Sequence, residues 1–314
     1  MGDDIGSHKR VPRCLVLLAS HEGAQYIRQQ LDSILAQTGV EVEILIADDA
    51  SSDATVDAIR TLNNCEAIHL QQRLVGTGSA AQNFVQLIRE ADVSRFDYIA
   101  LSDQDDIWMT GKLRRATDAL AASISGGYSS SVVAKWPDGS TSRLRQSARL
   151  READFLFEGA GQGCTFVLTK AFFDRVQGLF RRREDLTAPL IYHDWAIYAL
   201  ARSLNVPWVF DSEPSLWYRQ HSNNDTGARG SISGLRRRLQ LILGGQYRAQ
   251  ISAVTRLCFE LTPESPVLHR WKNCSLQNRP FTTSLRKAIF CFLHGRRRLH
   301  DRVLTSLAAL ARWI

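Results

Sequence analysis

The sequence predicts an α/β protein, with a mixed sheet that carries helices on both faces and a basic helical extension at the C-terminus. Short apolar runs alternate with segments of helical period in the first hundred residues, the order that builds a parallel sheet. The 314 residues suffice for one such domain of about 200–250 residues and an appendage. With 44% hydrophobic and 23% charged residues, the composition is ordinary for a protein that buries a core.

The first half of the chain alternates buried strands with amphipathic helices. The runs at Arg13–Ser20 (RCLVLLAS) and Glu41–Ala47 (EVEILIA) are apolar enough for buried strands. The helices place apolar residues three or four positions apart, as at Ile27, Leu31 and Ile34. In chain order the predicted elements are a strand at Arg13–Ser20, a helix at Gly23–Gln37, a strand at Glu41–Ala47, a helix at Asp53–Leu62, a strand at Glu66–Leu70, a helix at Ser79–Ala91 and a strand at Asp97–Leu101.

After a basic helix at Lys112–Ala122 the regular alternation stops. An apolar run, the turn Pro137-Asp138-Gly139 and a return segment predict a hairpin. A flexible loop at Gly159–Gly163 precedes the next strand. These later elements are a hairpin strand at Ser130–Trp136, a strand at Cys164–Leu168, a helix from His193 to Leu204, and strands at Val206–Phe210 and Ser215–Arg219.

The net charge of +7 is unevenly distributed. Residues 231–314 hold 15 Lys and Arg and 3 Asp and Glu, a balance of +12, so the first 230 residues sum to −5. A mildly acidic body with a strongly basic tail indicates a two-part organisation. The tail has no aromatic residues interleaved with its basic residues and no known nucleic-acid-binding motif, so no nucleic-acid partner is predicted.

Other features of the sequence bear on where in the cell the protein is expected. Residues 1–13 are polar and charged, without the apolar core of a signal peptide, and no 18 apolar residues run together. The six cysteines stand singly, which argues against a disulfide framework or a zinc ribbon. We expect a cytoplasmic protein, and peripheral attachment to the inner face of the cytoplasmic membrane stays open.

Polar side chains follow three of the four early strands, at the edge where open α/β sheets bind ligands. Asp48 and Asp49 end the second strand, and a turn or helix cap explains that pair equally well. The cluster Asp103–Asp106 follows a buried strand and holds three carboxylates in four residues, which repel one another unless a cation lies among them. We therefore predict a site for Mg²⁺ or Mn²⁺ there, in preference to a solvated acidic turn.

Three other motifs are ambiguous by themselves. Asp194 follows His193 at the start of a predicted helix, where a role as N-cap would be sufficient. His221 lies in a polar loop after the last strand, and a lone histidine is more often structural than a ligand. The segment Gly76–Ala81 is similar to a dinucleotide fingerprint, but no acidic residue ends a strand about 20 positions further on.

Together these motifs resemble family 2 glycosyltransferases, and most closely the rhamnosyltransferases of O-antigen and capsule assembly, which also show a motif like Trp136–Gly139. The resemblance covers about residues 13–228, with one departure at Ala50, where the family usually has glycine; we expect that to alter the loop only slightly. The matching motifs, in order, are Val16–Ser20 with Glu22, Leu31–Gln37, Ile46–Asp53, Asn83-Phe84, Leu101–Trp108 with Lys112-Leu113, Gly161–Thr165, Tyr192–Trp195 and Tyr218–Asn224.

The resemblance implies a GT-A fold, a Rossmann-like nucleotide-sugar-binding domain at 13–228, after a disordered N-terminus at 1–12 and before the basic helical extension at 229–314. Asp194 matches the catalytic base, and Asp105 and His221 would hold the metal. The implied nucleotide-binding residues are Ser20, Glu22, Asp48, Asn83, Asp103 and Gln104. The residues implied to border the acceptor and donor sugars are Trp108, Gly161, Gly163, Cys164, His193 and Trp195.

The implied reaction is inverting, metal-dependent transfer of a sugar, L-rhamnose from dTDP-rhamnose, to a hydroxyl of a saccharide or lipid-linked oligosaccharide in cell-surface polysaccharide biosynthesis. A divalent ion stabilises the departing diphosphate, and one carboxylate takes the proton of the acceptor hydroxyl. Two alternatives stay open: a catalytically inactive relative that binds polysaccharide or a membrane surface, and a nucleotidyltransferase. Against the latter, Ser20–Gly23 is not the Gly-rich loop with a basic residue expected after its first strand.

The extension mixes basic clusters with apolar residues. Leu235–Leu243 contains Arg236–Arg238, and Ile289–Leu293 is followed closely by Arg296–Arg298. Such mixtures bind anionic membrane surfaces, which suits an acceptor carried on a lipid. A helical appendage with a solvated basic face explains the pattern equally well.

Overall fold

The computed structural model describes residues 10–62, 66–145, 149–221, 240–274 and 280–314. Most of the predicted disordered segment 1–12 lies outside the described residues. So do the predicted domain boundary at 228/229 and the basic cluster Arg236–Arg238.

One mixed sheet runs through the described chain, in the order β3-β2-β1-β4-β8-β6-β9-β5, with β7 paired to β6. Strands β1 to β4 pair in parallel, whereas β8 is antiparallel to both β4 and β6. This sheet confirms the predicted α/β class. The strands are β1 (Arg13–Ser20), β2 (Glu41–Asp48), β3 (Ile68–Gln72), β4 (Tyr98–Ser102), β5 (Ile107–Trp108), β6 (Gly127–Lys135), β7 (Thr141–Leu144), β8 (Val167–Thr169) and β9 (Trp208–Arg219).

Helices cover both faces of the sheet and continue into the basic extension. The helices are α1 (Ile27–Leu35), α2 (Thr55–Arg60), α3 (Ala80–Glu90), α4 (Lys112–Ala121), α5 (Lys170–Arg182), α6 (Glu184–Thr187), α7 (His193–Ser203), α8 (Gln246–Leu261), α9 (Pro266–Asn273), α10 (Pro280–His294) and α11 (Leu299–Leu310). Among the helices of the described ranges, none combines the length and hydrophobicity that a bilayer-spanning segment needs.

The sheet separates two hydrophobic layers because successive side chains of a strand point to opposite faces. In β1, Leu15 and Leu17 pack with α3, α5 and α7, whereas Val16 and Leu18 pack with α1 and α4. Buried residues of the helices α8 to α11 belong to the first of these layers, as Val254 does. The extension therefore shares a core with the α/β body.

Some predicted boundaries differ from those observed. Helix α1 begins at Ile27 rather than Gly23, because the preceding N–H groups are held by the next loop: Gly23 donates to Thr55 Oγ1 at 2.7 Å and Ala24 to Asp53 Oδ2 at 3.1 Å. The carboxylate of Asp53 also accepts from the Thr55 N–H at 2.9 Å, so it organises this loop.

The late part of the sheet is also simpler than predicted. One strand, β9, replaces the two predicted at Val206–Phe210 and Ser215–Arg219; irregular pairing with β6 near Pro214 lets it continue through a polar segment. The predicted strand Cys164–Leu168 is a short 3₁₀ turn followed by β8. Strand β5 and helix α5 were not predicted.

Candidate active site

The carboxyl ends of β1 and β2 bring Ser20 and Asp48 side by side, because these two residues are paired in the strand register. The Asp48 side chain is fully buried and accepts hydrogen bonds from Ser20 Oγ at 3.1 Å, Ser51 Oγ at 2.6 Å and the Ser51 N–H at 3.0 Å. These donors fix the Asp48 carboxylate at the carboxyl edge of the sheet, where α/β proteins bind ligands.

Asn83 braces this edge from helix α3. Its Nδ2 donates to the Ala47 carbonyl at 2.9 Å, and its Oδ1 accepts from Arg73 Nε at 3.2 Å. The side chain is buried, so Asn83 lies under the end of β2.

The glycine-rich segment that resembles a dinucleotide fingerprint has a local explanation. The Asp49 carboxylate accepts from the Thr77 N–H at 2.7 Å and from Thr77 Oγ1 at 2.8 Å. A Cβ on Gly76 would lie 3.3 Å from the Asp49 carbonyl oxygen, which explains a glycine there. Asp49 therefore organises the loop before α3, and only its position after a buried strand hinted at a role.

Two residues in the loops after β1 and β2 adopt the left-handed backbone conformation, Glu22 at φ 48° and Ala50 at φ 59°. Residues other than glycine take this conformation at a cost and often near functional sites. The Glu22 carboxylate accepts from the Ser52 N–H at 2.7 Å and from Ser52 Oγ at 2.8 Å, which ties the two loops together. Ala50, where the resemblance leads one to expect glycine, stands at a position that favours glycine.

The acidic loop after β4 is joined to the loop after β1 by Gln104. Its Nε2 donates to the His21 carbonyl at 2.7 Å, and its Oε1 accepts from the His21 N–H at 2.8 Å. This pair of bonds places Asp103 and Asp105 beside the Ser20 and Asp48 edge.

Asp105 and His221 lie together, although 116 positions separate them in sequence. The Nε2 atom of His221 is 2.8 Å from Asp105 Oδ2, and both side chains are largely buried. The His221 ring stacks on Tyr26, with centroids 5.0 Å apart, and the Arg219 guanidinium lies 5.2 Å from the same Tyr26 ring. Tyr26 and Arg219 thus complete a cluster that the sequence analysis did not single out.

A second cluster of ligand-type atoms lies next to this pair. Ligand-type atoms of Asp103, Asp106 and Cys164 lie within 4.8 Å of one another. The Asp106 carboxylate is fully buried, and among the described residues no hydrogen bond of ordinary geometry reaches either oxygen. Burial, followed by repulsion from Asp105 and Asp103, raises the pKa of Asp106 well above its usual range. A cation would relieve that repulsion.

The chemistry of this cluster fits a hard divalent ion held by oxygen atoms. Burial and the nearby Asp106 carboxylate raise the pKa of the Cys164 thiol, so its sulfur stays protonated and is a poor ligand for such an ion. Asp103, Asp105 and Asp106 supply the oxygen ligands that Mg²⁺ and Mn²⁺ prefer. The sequence predicted a cation among the carboxylates of Asp103–Asp106, whereas the family resemblance implied only Asp105 and His221 as the residues that hold it.

Asp194 lies in the first turn of α7, but it does not cap the helix. The N-cap residue is Tyr192, and the Asp194 carboxylate accepts from the N–H of Trp195 at 2.7 Å. A Cβ on Gly163 would lie 3.0 Å from Asp194 Cβ. Since Cys164 follows directly, Gly163 and Cys164 connect Asp194 to the acidic cluster.

His193 precedes Asp194 and is neutral at physiological pH. Burial lowers the pKa of its imidazole to about 3, and its ring stacks on Phe84 with centroids 4.0 Å apart. Its Nε2 is buried and, within the described ranges, without a hydrogen-bond partner. With its pKa lowered to about 3, this imidazole is a weaker base than an ordinary histidine.

Three of the residues assigned to the sugars lie in the core. Trp108 and Cys164 are buried beneath the acidic loop, and buried Trp195 donates its indole N–H to the Phe155 carbonyl at 2.7 Å. Sugar contacts by these three side chains remain predictions, and each has core partners. Gly161, at φ 130°, and Gly163 belong to the loop next to Asp194.

A cavity of about 730 Å³ lies elsewhere, between α8, α9 and α10. Its wall is apolar and basic, with residues such as Phe259, Trp271 and Arg248, and includes none of the predicted site residues.

Comparison with known proteins identifies sequences and structures that are similar to this chain. Residues 15–184 match the family model described as glycosyl transferase family 2. The chain is 34% identical over 245 residues to the dTDP-rhamnosyl transferase RfbG of Shigella flexneri, an alignment of 76% of this chain and 83% of that protein. It is 29% identical over 98 residues, 31% of this chain and 37% of that protein, to the UDP-Glc:alpha-D-GlcNAc-diphosphoundecaprenol beta-1,3-glucosyltransferase WfaP of Escherichia coli.

Solved structures share the fold at low sequence identity. TarS of Staphylococcus aureus, residues 1–349, superposes with a TM-score of 0.54 at 13% identity, covering 96% of this chain and 90% of that one. The mannosyltransferase PcManGT of Pyrobaculum calidifontis, solved with GDP-Man and Mn²⁺, gives 0.51 at 16% identity, covering 96% and 86%. These likenesses concern the fold, and they confirm the predicted GT-A-type architecture.

Proposed function

The chain belongs to glycosyl transferase family 2, and from that premise we propose that it transfers L-rhamnose from dTDP-rhamnose to a hydroxyl of a saccharide acceptor with inversion at the anomeric carbon. The name of the Shigella flexneri relative supports this donor. The name of the Escherichia coli relative supports an acceptor carried on a lipid diphosphate. We place this transfer in cell-surface polysaccharide biosynthesis, at the cytoplasmic side of the membrane.

One observation carries the proposal: Gly163 and Cys164 join two groups with complementary tasks. Gly163 packs against Asp194, while the Cys164 sulfur lies beside the carboxylates of Asp103 and Asp106. Asp194, the proposed proton acceptor, and the acidic cluster proposed to bind the metal therefore both border the short segment Gly163-Cys164. Transfer from a nucleoside diphosphate needs these two functions on either side of the reacting carbon.

The nucleotide is proposed to bind along the ends of β1, β2 and β4. Ser20, Glu22, Asp48, Asn83, Asp103 and Gln104 are the residues we assign to it. The Asp48 carboxylate is held in place by three donors and is suited to accept from a pyrimidine N–H. Asp103 would lie near the ribose.

Asp105, with Asp103, Asp106 and His221 around it, would hold a divalent ion, which when bound stabilises the charge that develops on the leaving diphosphate. The Asp105 carboxylate is oriented by the contact with His221 at 2.8 Å. His221 in turn is fixed by stacking on Tyr26.

Asp194 is assigned as the general base. Its carboxylate is held by the Trp195 N–H, beside the loop Gly159–Gly163 that would border the sugars. The acceptor hydroxyl loses its proton as its oxygen attacks the anomeric carbon, and the carboxylate takes that proton. Because the hydroxyl attacks opposite the leaving group in a single displacement, the configuration inverts, with no second carboxylate nucleophile of the kind retaining glycosidases use.

The division of the chain belongs to this proposal as well. We assign catalysis to residues 13–228 and a supporting role to the basic helical extension at 229–314.

A panel of nucleotide sugars with a saccharide acceptor tests the proposal. We expect release of free dTDP from dTDP-rhamnose, loss of that release in excess chelator, and its recovery with Mg²⁺ or Mn²⁺. Asp105→Asn should reduce turnover by about 10²-fold or more, because a neutral amide binds a divalent ion poorly.

The variant Asp118→Asn serves as the matched control, since Asp118 pairs with Arg114 on the exposed surface of α4. No diphosphate release from any donor would instead support an inactive binding relative. Full activity in excess chelator would remove the metal from the proposal.

A further inference from the structure

The last two helices expose an unusually apolar surface. Ten large apolar side chains of residues 280–314 are 40% to 70% exposed. We call them the apolar face; they are Phe281, Leu285, Ile289, Phe292, Leu293, Leu299, Val303, Leu307, Leu310 and Trp313. Scattered exposed apolar residues are normal, but a set of this size concentrated on one helical pair marks a contact surface.

The apolar face follows the helical repeat on both helices. Exposed positions recur every three or four residues, from Phe281 through Leu285 and Ile289 on α10 and from Leu299 through Val303 on α11. Buried side chains occupy the other side of each helix. The helices pack against each other, and their stripes approach at Phe292, whose ring lies 5.6 Å from the Arg302 guanidinium next to Val303.

The charges carried by the two helices are almost all positive, and one partly exposed acid of the body, Glu152, lies 2.8 Å from His294 of α10. Residues 280–314 contain seven Lys and Arg and one acidic residue, Asp301. Asp301 is buried and lies 3.6 Å from Arg296, so the exposed surface of the two helices presents no acidic side chain. Arg286 and Arg312 are exposed.

Two arginines of the cluster Arg296–Arg298, which the sequence suggested as a membrane-binding cluster, instead pair with acidic side chains inside the protein. The Arg297 side chain is only 2% exposed; its Nε is 3.1 Å from Glu158 Oε1 and 3.7 Å from Asp154 Oδ2. Arg296 lies 3.6 Å from Glu158. Within the described chain, the candidate contact surface is therefore the apolar face with its exposed basic residues rather than the Arg296–Arg298 cluster.

We propose that α10 and α11 dock in the interface of an anionic lipid bilayer, with the apolar face inserted and the helices lying in the membrane plane. Apolar stripes bordered by basic residues bind in this way. The tryptophan at position 313 suits the boundary between headgroups and acyl chains. A second copy of this chain fits less well, because two positive surfaces would then face each other.

The connection between the helices would bring the membrane close to the reaction, a consequence that rests on the proposed function. The Arg297 N–H donates to Glu158 Oε1 at 2.5 Å, and its guanidinium donates to the Gly159 carbonyl. Gly159 begins the loop that borders Asp194. A buried contact thus joins the two helices proposed to dock on the bilayer to the loop Gly159–Gly163, an arrangement that suits a lipid-linked acceptor.

Flotation of the full chain with vesicles tests the docking. Wild-type protein should float with phosphatidylcholine vesicles that contain about 30% phosphatidylglycerol, and bind pure phosphatidylcholine vesicles more weakly. The triple variant Leu285→Gln/Ile289→Gln/Leu307→Gln should partition at least about tenfold less, because three apolar side chains no longer insert.

The matched control is Leu74→Gln/Val75→Gln/Ile124→Gln, which removes three side chains that are 82% to 95% exposed outside these helices; its flotation should equal that of wild type. Melting temperatures check folding, and dTDP release with a water-soluble acceptor separates loss of docking from loss of activity. Flotation of the triple variant at the wild-type level would overturn the proposal. So would failure of the wild type to float, with a dimer in light scattering that the triple variant loses.

Discussion

At the start of α7, two neighbouring side chains have different surroundings. The Asp194 carboxylate accepts a hydrogen bond from the backbone N–H of Trp195, whereas His193 is stacked on Phe84 and kept neutral by burial. The sequence places both at the start of the same predicted helix, and only the family resemblance singled out Asp194 as the base. Burial separates them, and burial depends on contacts from other elements that a local motif does not contain.

The neutral state of His193 predicts an acid-sensitive stability. Burial lowers the pKa of His193 from 6.5 to about 3, so below about pH 6.5 the unfolded chain binds a proton that the native protein does not. The free energy of unfolding should therefore fall as the pH falls from about 6.5 towards 3, by up to about 1.4 kcal/mol per pH unit from this group.

Urea unfolding at a series of pH values measures this effect. The variant His193→Gln should lose less stability than wild type between about pH 6.5 and 4.5. His300→Gln changes an exposed histidine on α11 and is the matched control. Equal acid sensitivity of His193→Gln and wild type would show that His193 is charged in the native protein.

At the level of elements, hydrophobic periodicity predicted the parallel half of the sheet well. Strand β1 is observed at Arg13–Ser20 as predicted, and Ser79 caps α3 through a hydrogen bond from the Gln82 N–H. Predictions were poorer where tertiary contacts override local pattern. Strand β5 has only two residues and exists because it pairs with β9.

The loop after β2 offers a test of backbone strain. Ala50 has a φ of 59°, a conformation that costs a residue with a Cβ about 1–2 kcal/mol and costs glycine little. Ala50→Gly should therefore raise the free energy of unfolding by about 1 kcal/mol or less, since glycine also loses more chain entropy on folding.

The reverse change at Gly139 is the control for this prediction. Gly139 has a φ of 84° in the hairpin turn, and a Cβ there would meet no atom within 4 Å. Gly139→Ala should lower stability by about 1 kcal/mol, for conformational reasons alone. A less stable Ala50→Gly variant would show that the loop is not strained at this position.

Across the whole molecule, the candidate site is assembled from parts far apart in sequence. The edge at Ser20 and Asp48 follows from strand register, which the sequence pattern implied. The contact between Asp105 and His221 spans 116 positions, and only the family resemblance pointed to it. Neither the hydrophobic pattern nor the family resemblance indicated that Arg297 is buried against Glu158. The partners of a basic cluster depend on which acidic side chains the fold brings close to it.

The role of Asp194 as general base is tested by comparing wild type with Asp194→Asn in transfer from dTDP-rhamnose to a saccharide acceptor. Asn keeps the size of the side chain and an oxygen for the Trp195 N–H, but it lacks the basicity. Donor binding, followed by calorimetry, and the melting temperature should stay close to wild type. Turnover should fall by about 10²–10⁴-fold, and the wild-type product should have the inverted configuration. Transfer by Asp194→Asn at near the wild-type rate would remove Asp194 from the reaction, and retained configuration in the product would rule out the single displacement.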